Sequence, residues 1–187
     1  MGMHGWREHD ETGYRRYLQA ATASPGTAMT VRRYASSDFP AVCRIYADAR
    51  RAELQFEDGS FDITPLDQDP VLRAAFEEST VFVFENTDVV GFAALHETQL
   101  RALFVRSDAR GTGVGTALLR RVLDHSPDLM LNVAKSNAMA RRFYERHGFD
   151  VAGTLVKQYG DRDVEYVRMA CARHLKPGEA DAAGVQQ

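Results

Sequence analysis

Several features that would mark other classes of protein are scarce or missing in this sequence. The chain has only two cysteines in 187 residues, Cys43 and Cys171, and their separation does not fit a metal-binding spacing. Long runs of Lys and Arg are absent, and the formal net charge of −3 argues against nucleic acid as a partner. No apolar stretch approaches the length of a membrane span. We therefore expect a globular protein with reduced thiols, no metal and no membrane contact, in the cytoplasm.

Composition divides the chain into three parts. Residues 1–28 are polar and mixed in charge and lack the apolar core of a signal peptide, so we expect an N-terminal arm that is flexible or docked on the domain. Residues 29–174 carry the hydrophobic periodicity of one folded domain. Residues 175–187 are small or polar, and we expect a disordered tail.

Within residues 29–174 the periodicity predicts an α/β domain with the element order βααβββαβαββ. Strands are predicted at Met29–Tyr34, Thr80–Phe84, Val89–Leu95, Leu100–Val105, Met130–Val133, Val151–Tyr159 and Val164–Cys171. Helices are predicted at Phe39–Leu54, at Val71–Glu78, from Val114 and after Asn137. Because Leu100–Val105 is largely apolar, we expect this central strand to be buried on both faces.

A glycine-rich turn follows the central strand. Gly111, Gly113 and Gly115 open the helical pattern that begins at Val114, so the first backbone N–H groups of the helix have no intrahelical partners. These groups lie at the positive end of the helix dipole, and glycines let a phosphate approach the backbone. The turn is typical of an anion site, although glycines can also serve packing alone. It lacks the Lys and Ser or Thr of a P-loop, and no acidic ribose ligand follows about twenty residues later.

A second motif lies in the helix after Met130–Val133. Ser136 or Asn137 can cap this helix, and Asn137 and Tyr144 share one of its faces, roughly 10 Å apart along the axis. Together the two motifs resemble those of the GNAT superfamily of acetyl-CoA-dependent N-acyltransferases. The resemblance is carried by Arg110-x-x-Gly113-x-Gly115 and Asn137-x-x-Ala140-x-x-Phe143-Tyr144-x-x-x-Gly148-Phe149, and it extends more loosely from about Met29 to Ala172.

The resemblance implies a fold, a cosubstrate and a set of binding residues. The fold would be a mixed, mostly antiparallel sheet of about seven strands with four helices, in which strands four and five diverge around the pantetheine arm of acetyl-CoA. Backbone groups of Leu103, Phe104 and Val105 would bind this arm, and one of their N–H groups would stabilise the oxyanion of acetyl transfer. Asn137 would contact the pantetheine or nucleotide portion. The diphosphate would be held by Arg110, Gly111, Thr112, Gly113, Val114, Gly115 and Thr116.

Tyr144 is the residue we expect to transfer a proton. Its phenol, with an unperturbed pKa of about 10, is protonated at neutral pH. It can therefore act as a general acid toward the departing thiolate of coenzyme A. An aromatic residue on a helix can instead simply pack against the sheet, as we expect for Phe143.

The general base is not evident from the sequence. Many relatives carry a glutamate on strand five, but the corresponding residue here is Asn132, which cannot accept a proton. Other relatives carry one on strand four, where this chain reads Gln99-Leu100-Arg101. His96, Glu97, Glu53 and Glu57 are candidates, each with the alternative of being a solvated surface side chain. A chain of waters could also serve, or an amine whose lowered pKa lets it arrive neutral.

The acceptor is expected to be a primary amine of a small molecule or a peptide. The segment from Glu53 to Glu78 would lie on its path, and its acids could attract a cationic amine or simply form a solvated loop. These acids are Glu53, Glu57, Asp58, Asp62, Asp67, Asp69, Glu77 and Glu78, with Arg73 the one base. A binding protein that senses acetyl-CoA without turnover is the alternative function, and a homodimer is compatible with the resemblance.

Overall fold

Residues 29–57, 61–159 and 162–171 are described by a computed structural model of the chain. The expected arm at 1–28 and the expected tail at 175–187 lie outside the described residues, as does Asp58. The fold below therefore concerns the expected central domain, without the tips of two loops.

The predicted order of helices and strands is confirmed. Seven strands form one sheet: β1 Thr30–Arg33, β2 Thr80–Asn86, β3 Asp88–His96, β4 Gln99–Val105, β5 Met130–Ala134, β6 Phe149–Tyr159 and β7 Arg162–Cys171. Four α-helices accompany them: α1 Phe39–Leu54, α2 Pro70–Glu77, α3 Val114–His125 and α4 Ala138–Arg146. The strand order is β1-β2-β3-β4-β5-β7-β6, and only β4 and β5 pair in parallel. No helix in the described ranges is long and apolar enough to span a bilayer.

Helices cover both faces of the sheet, which explains why the central strands are so hydrophobic. In β2, Val81 and Val83 pack in the core beneath α1 and α2. Phe82 and Phe84 alternate with them and pack in the core beneath α3 and α4. Because successive side chains of a strand point to opposite faces, a strand that separates two cores must be apolar at every position.

Strands β4 and β5 pair over only a short distance. The paired residues are Gln99 with Met130 and Leu100 with Leu131, and no pairing continues beyond them. The strands diverge from that point, as the resemblance implied. The expectation that the central strand is buried on both faces is wrong for Ala102–Val105, which are half-buried because they border the opening.

An ion pair between half-buried Arg32 and buried Asp38 fixes the start of α1 against the sheet. The Asp38 carboxylate accepts hydrogen bonds from Nη1 and Nη2 of Arg32 at 2.7 and 2.9 Å, and from the Ala35 N–H at 2.8 Å. These bonds, those from Arg32 above all, hold the pKa of Asp38 below its ordinary value, although burial opposes them. The charged form of Asp38 is thus the form that the fold stabilises.

We expect Asp38→Asn to lower the free energy of unfolding at pH 7 by about 1–3 kcal/mol, because charge-assisted bonds to a buried group are lost. The contribution of Asp38 is present above its unfolded-state pKa and is lost as the pH falls through its lower folded-state pKa. The difference between wild type and variant should therefore shrink below about pH 4. Urea unfolding across this pH range measures it, with the exposed Asp62→Asn as control; a gap that stays constant with pH would contradict the prediction.

Candidate active site

The divergence of β4 and β5 opens a cavity of about 440 Å³ through the sheet. Its walls come from the second half of α1, from β4 and β5, from the turn before α3, from α4 and from Lys157 on β6. A cavity of this size suits a small-molecule ligand. It is the place where the residues of the two sequence motifs meet.

The β4 side of the cavity offers backbone N–H groups. Arg106 N–H donates to the Val90 carbonyl of β3 at 2.8 Å. Since N–H groups alternate in direction along an antiparallel strand, those of Leu103 and Val105 point away from β3 and toward β5. The N–H of Phe104 points toward β3 instead. Of the three β4 residues implied by the resemblance, Leu103 and Val105 therefore present their amides to the cavity.

The glycine turn has the backbone geometry that an anion site requires. Gly111 and Gly113 have φ values of +75° and +95°, which residues with side chains rarely adopt. The first helical bond of α3 runs from Ala117 N–H to the Gly113 carbonyl at 3.0 Å. The N–H groups of the intervening residues 114–116 consequently have no intrahelical partner, and the positive end of the α3 dipole faces the cavity.

Most of the predicted binding residues line this cavity. They are Leu103, Phe104, Val105, Arg110, Gly111, Gly113, Gly115, Thr116, Asn137 and Tyr144. Thr112 and Val114 do not line it. The Thr112 hydroxyl donates to the Ala109 carbonyl at 2.7 Å, and the Val114 side chain is buried in the core, so only their backbone groups could face a ligand.

Arg110 is held beside the turn by two neighbours. Its Nε donates to the Val105 carbonyl at 3.0 Å, and its Nη2 pairs with Asp48 Oδ2 on α1 at 3.1 Å. The guanidinium therefore connects the end of β4 to α1, and its positive charge lies at the mouth of the cavity.

The second motif places Asn137 and Tyr144 along α4 as predicted. Asn137 is the N-cap, and its Oδ1 accepts the Ala140 N–H at 3.0 Å. The Tyr144 ring is buried between Phe143 and Phe149, with centroid distances of 5.2 and 5.6 Å. Burial raises the pKa of the Tyr144 phenol, and the charge of Glu53 raises it further, so its hydroxyl is protonated at every physiological pH.

A buried pair of polar side chains connects the two motif helices. His147 Nδ1 lies 2.7 Å from the Phe143 carbonyl, and its Nε2 lies 3.3 Å from Oγ1 of Thr116. Gly115 packs on the Phe143 ring, since a Cβ built at Gly115 would lie 3.6 Å from its Cζ. The glycine turn and Tyr144 are therefore held in a fixed relation.

Of the four candidate bases, the structure places one, Glu53, in the cavity wall. Glu53 is buried at 9% exposure and lines the cavity, where its Oε2 accepts Arg50 Nη1 at 2.5 Å. His96 and Glu97 lie at the turn beyond the paired end of β4, outside the cavity. Glu57 is not part of the cavity wall and accepts a hydrogen bond from the Ser136 hydroxyl. Glu53 is the carboxylate that the cavity presents.

Asn132 also belongs to this wall. Its Oδ1 is buried without a hydrogen-bond partner among the described residues. An unpartnered amide oxygen costs free energy, which a bound donor would recover. Asn132 thus presents a hydrogen-bond acceptor at the position on strand five where many relatives carry a glutamate.

The acids of the segment from Glu53 to Glu78 do not line the cavity as a group. Among the described residues, Glu53 alone of that set lines it. Asp69 caps α2 by accepting the N–H groups of Val71 and Leu72. Glu77 pairs with Arg73, and Glu78 lies 3.5 Å from Arg101. Attraction of a cationic amine by the whole segment stays a prediction.

Sequence reasoning missed four cationic residues of the cavity, Arg50, Arg101, Arg146 and Lys157. Arg50 follows no motif, and it stacks over the rings of Tyr46 and Phe104 at 5.5 and 5.4 Å. Lys157 has a usable signal, because in β6 it alternates in phase with Leu155 and Tyr159. A lysine on an otherwise apolar strand face indicates a charge turned toward the interior.

Gly113→Ala is expected to weaken binding of coenzyme A about tenfold or more, because a residue with Cβ disfavours the φ of +95° that directs the turn's amides. Isothermal calorimetry with coenzyme A measures the change. Gly153→Ala is the matched control, since a Cβ at Gly153 meets nothing within 4 Å. Equal affinity of Gly113→Ala and wild type would contradict the role of the turn.

Comparison with known proteins agrees with this geometry. The model of the acetyltransferase (GNAT) family matches residues 39–149, which include both motifs and the cavity walls from α1 to α4. The chain belongs to the acetyltransferase (GNAT) family.

Two relatives that match part of the chain are named as acetyltransferases. Peptidyl-lysine N-acetyltransferase YjaB of Escherichia coli is 41% identical over 73 residues, which make up 39% of this chain and 50% of the relative. 5-NmdU N-acetyltransferase of Pseudomonas phage PaMx11 is 35% identical over 90 residues, 43% of this chain and 64% of the relative. The matched segment spans about half to two thirds of these relatives, so their activities do not transfer directly.

Solved structures share the fold over a greater length. The solution structure of apo YjaB from Escherichia coli superposes with a TM-score of 0.64 at 26% identity, covering 78% of this chain and 98% of that one. The structure of yncA from Salmonella typhimurium with its cofactor acetyl-CoA has a TM-score of 0.59 at 22% identity, covering 81% and 98% of the two chains. At that identity the second comparison shows the fold alone.

Proposed function

We propose that this protein is an acetyl-CoA-dependent N-acetyltransferase that moves an acetyl group to a primary amine by direct attack in a ternary complex. One observation carries the proposal: a single cavity is lined by the glycine turn, the β4 backbone, the Tyr144 phenol and the Glu53 carboxylate. Membership of the GNAT family supports it. Acetyl-CoA supplies the activated acetyl group as a thioester, and no metal is required.

The residues present fit this cosubstrate. In the proposed complex, the unpaired N–H groups from Gly111 to Thr116 and the charge of Arg110 bind the diphosphate. The N–H groups of Leu103 and Val105 bind the pantetheine arm as a neighbouring strand would. One of these two also donates to the thioester oxygen, where negative charge develops during transfer. Asn137 lies on the α4 side of the same path.

Two protein groups account for the protons in the proposed reaction. The amine nitrogen forms a bond to the acetyl carbon while the carbon–sulfur bond breaks. Glu53 accepts the proton that the bound ammonium loses, directly or through water, and later releases it to solvent. Tyr144 donates a proton to the departing sulfur, and the proton that the nitrogen loses after attack restores the Tyr144 phenol. Asn132 accepts a hydrogen bond from the amine and so orients it. Positioning of the amine beside the thioester supplies much of the acceleration.

The name of one relative suggests a class of acceptor. Because a matching relative is named a peptidyl-lysine N-acetyltransferase, lysine side chains of peptides belong in the panel of acceptors, together with small-molecule amines. A cytoplasmic location and a homodimer stay predictions.

The decisive experiment combines calorimetry with a thiol-release assay. We expect the purified protein to bind coenzyme A and to release free thiol from acetyl-CoA only when a suitable amine is present. Binding without thiol release across a broad amine panel would favour a sensor of acetyl-CoA. Absence of coenzyme A binding would overturn both functions.

A further inference from the structure

The charged groups of the cavity are unevenly distributed. Among the described residues, Glu53 is the single carboxylate that lines it, whereas five cationic side chains do so: Arg50, Arg101, Arg110, Arg146 and Lys157. Arg110 lies beside the glycine turn, and Arg146 lies on α4, which packs on the same face of the sheet as that turn. Arg101 lies 3.5 Å from Glu78. Arg50 and Lys157 are the two remaining cations, and they lie opposite the turn.

Lys157 and Arg50 lie on the α1 face of the sheet, away from the glycine turn. In the register of the sheet, Leu155 opposes Tyr166 and Tyr166 opposes Ala134 of β5, and these residues share one core with Leu54 of α1. Lys157 alternates in phase with Leu155. In the proposed complex, acetyl-CoA lies on the side of the glycine turn, so this side of the cavity is left for the acceptor amine.

Arg50 and Glu53 neutralise one another there. Their 2.5 Å contact has both side chains largely buried, with exposed fractions of 16% and 10%. The guanidinium also stacks on two aromatic rings, as described above. The pair therefore contributes little net charge to the acceptor side of the cavity, and the charge of Lys157 is left over.

Lys157 has no carboxylate partner among the described residues. Its Nζ lies 4.3 Å from the centroid of the Tyr166 ring, a cation–π contact that partly stabilises the charge. Burial lowers the pKa of Lys157, and the neighbouring Arg50 lowers it further, with Glu53 opposing the shift. A largely buried ammonium group without a carboxylate partner is destabilised, and a bound anion would stabilise its charged form.

We infer that the acceptor is a small amino acid-like molecule, whose carboxylate binds Lys157 while its amine lies between Glu53 and the thioester. Such a molecule carries both charges at neutral pH. Its amine donates to the carboxylate of Glu53, whose Oε2 is the atom that accepts from Arg50, and its carboxylate complements Lys157, which lacks an acidic partner among the described residues. This inference deepens the proposed function and names a substrate class for the same site.

Matched amines test the carboxylate requirement. Glycine, β-alanine and γ-aminobutyrate are compared with methylamine, ethylamine and propylamine, which lack only the carboxylate. We expect at least one of the three acids to have kcat/KM about tenfold or more above its counterpart, since each tenfold corresponds to about 1.4 kcal/mol and a charged hydrogen bond contributes at least that. Equal use of both members in all three pairs would overturn the inference.

Variants of Lys157 show whether this side chain is responsible. Lys157→Met should raise KM for the preferred acid about tenfold, leave kcat nearly unchanged, and leave the carboxylate-free amine unaffected, whereas Lys157→Arg should retain the preference. Lys135→Met is the matched control, because Lys135 is exposed and pairs with Glu165 at 2.7 Å. Equal losses with both amines would show a structural role and overturn the inference.

A binding measurement separates this inference from the proposed function. Calorimetry of the acids with the coenzyme A complex of wild type and Lys157→Met does not depend on turnover. Lys157-dependent binding without thiol release would contradict the transferase and support the carboxylate site. Thiol release with carboxylate-free amines, together with equal acid binding by both proteins, would support the transferase and contradict the carboxylate site.

Discussion

Replacing Tyr144 with Phe is expected to lower kcat about 100-fold, which is the scale of a lost general acid. The affinity for coenzyme A should change little, because the ring keeps its contacts with Phe143 and Phe149 and loses only the hydroxyl. Burial raises the pKa of this phenol, so the proton is available for the sulfur throughout the working pH range. The loss should therefore be similar at pH 7 and pH 9.

The measurement pairs steady-state thiol release with calorimetry of coenzyme A. Tyr34→Phe is the matched control, because Tyr34 also packs edge-on against a phenylalanine, Phe76 at 5.2 Å, but lies outside the cavity. A kcat equal to that of wild type would remove Tyr144 from the mechanism. A large loss of coenzyme A affinity would assign it to binding instead.

Replacing Glu53 with Gln is expected to lower kcat/KM about 100-fold at pH 7, because an alkyl amine with a pKa of about 10.4 is almost wholly protonated there and must lose a proton to react. The loss should shrink as the pH rises, since more of the amine then reaches the cavity already neutral. The amide keeps an oxygen for Arg50, so the contact between α1 residues is preserved in shape.

The pH dependence distinguishes a base from a structural carboxylate. Rates of wild type and variant are compared from pH 7 to pH 10, with Glu57→Gln as the matched control. Glu57 lies four residues further along, beyond the end of α1, and accepts its hydrogen bond from Ser136 outside the cavity wall. A loss independent of pH would indicate that Glu53 holds Arg50 in place and does not accept the proton.

The parts of the site that the sequence predicts are those encoded by adjacent residues. Gly111 and Gly113 specify the turn because their φ values demand glycine, and the Asn137 cap specifies where α4 begins. The order of strands and helices follows from periodicity in the same way. The divergence of β4 and β5 was implied by the resemblance to the family. Its effect on burial was not predicted, because the apolar composition of Leu100–Val105 indicated a fully buried strand, whereas Ala102–Val105 are half-buried.

The other parts depend on residues that meet only in the folded chain. Glu53, Asn132 and Lys157 come from α1, β5 and β6, and no local pattern joins them. The acids from Glu53 to Glu78 looked alike in sequence, but Asp69 serves as a helix cap and Glu77 as a helix ion pair. Only tertiary structure separates the one carboxylate in the cavity from the others.

The two walls of the opening between β4 and β5 are built from separate stretches of the chain. The wall that carries the glycine turn comes from α3 and α4, joined by the contact between Thr116 and His147, while the opposite wall comes from α1 and β6. Evolution can therefore alter one wall without disturbing the other. A lineage that kept Glu53 and exchanged Arg50 and Lys157 would present different side chains to an acceptor, while the glycine turn and the β4 amides stayed as they are.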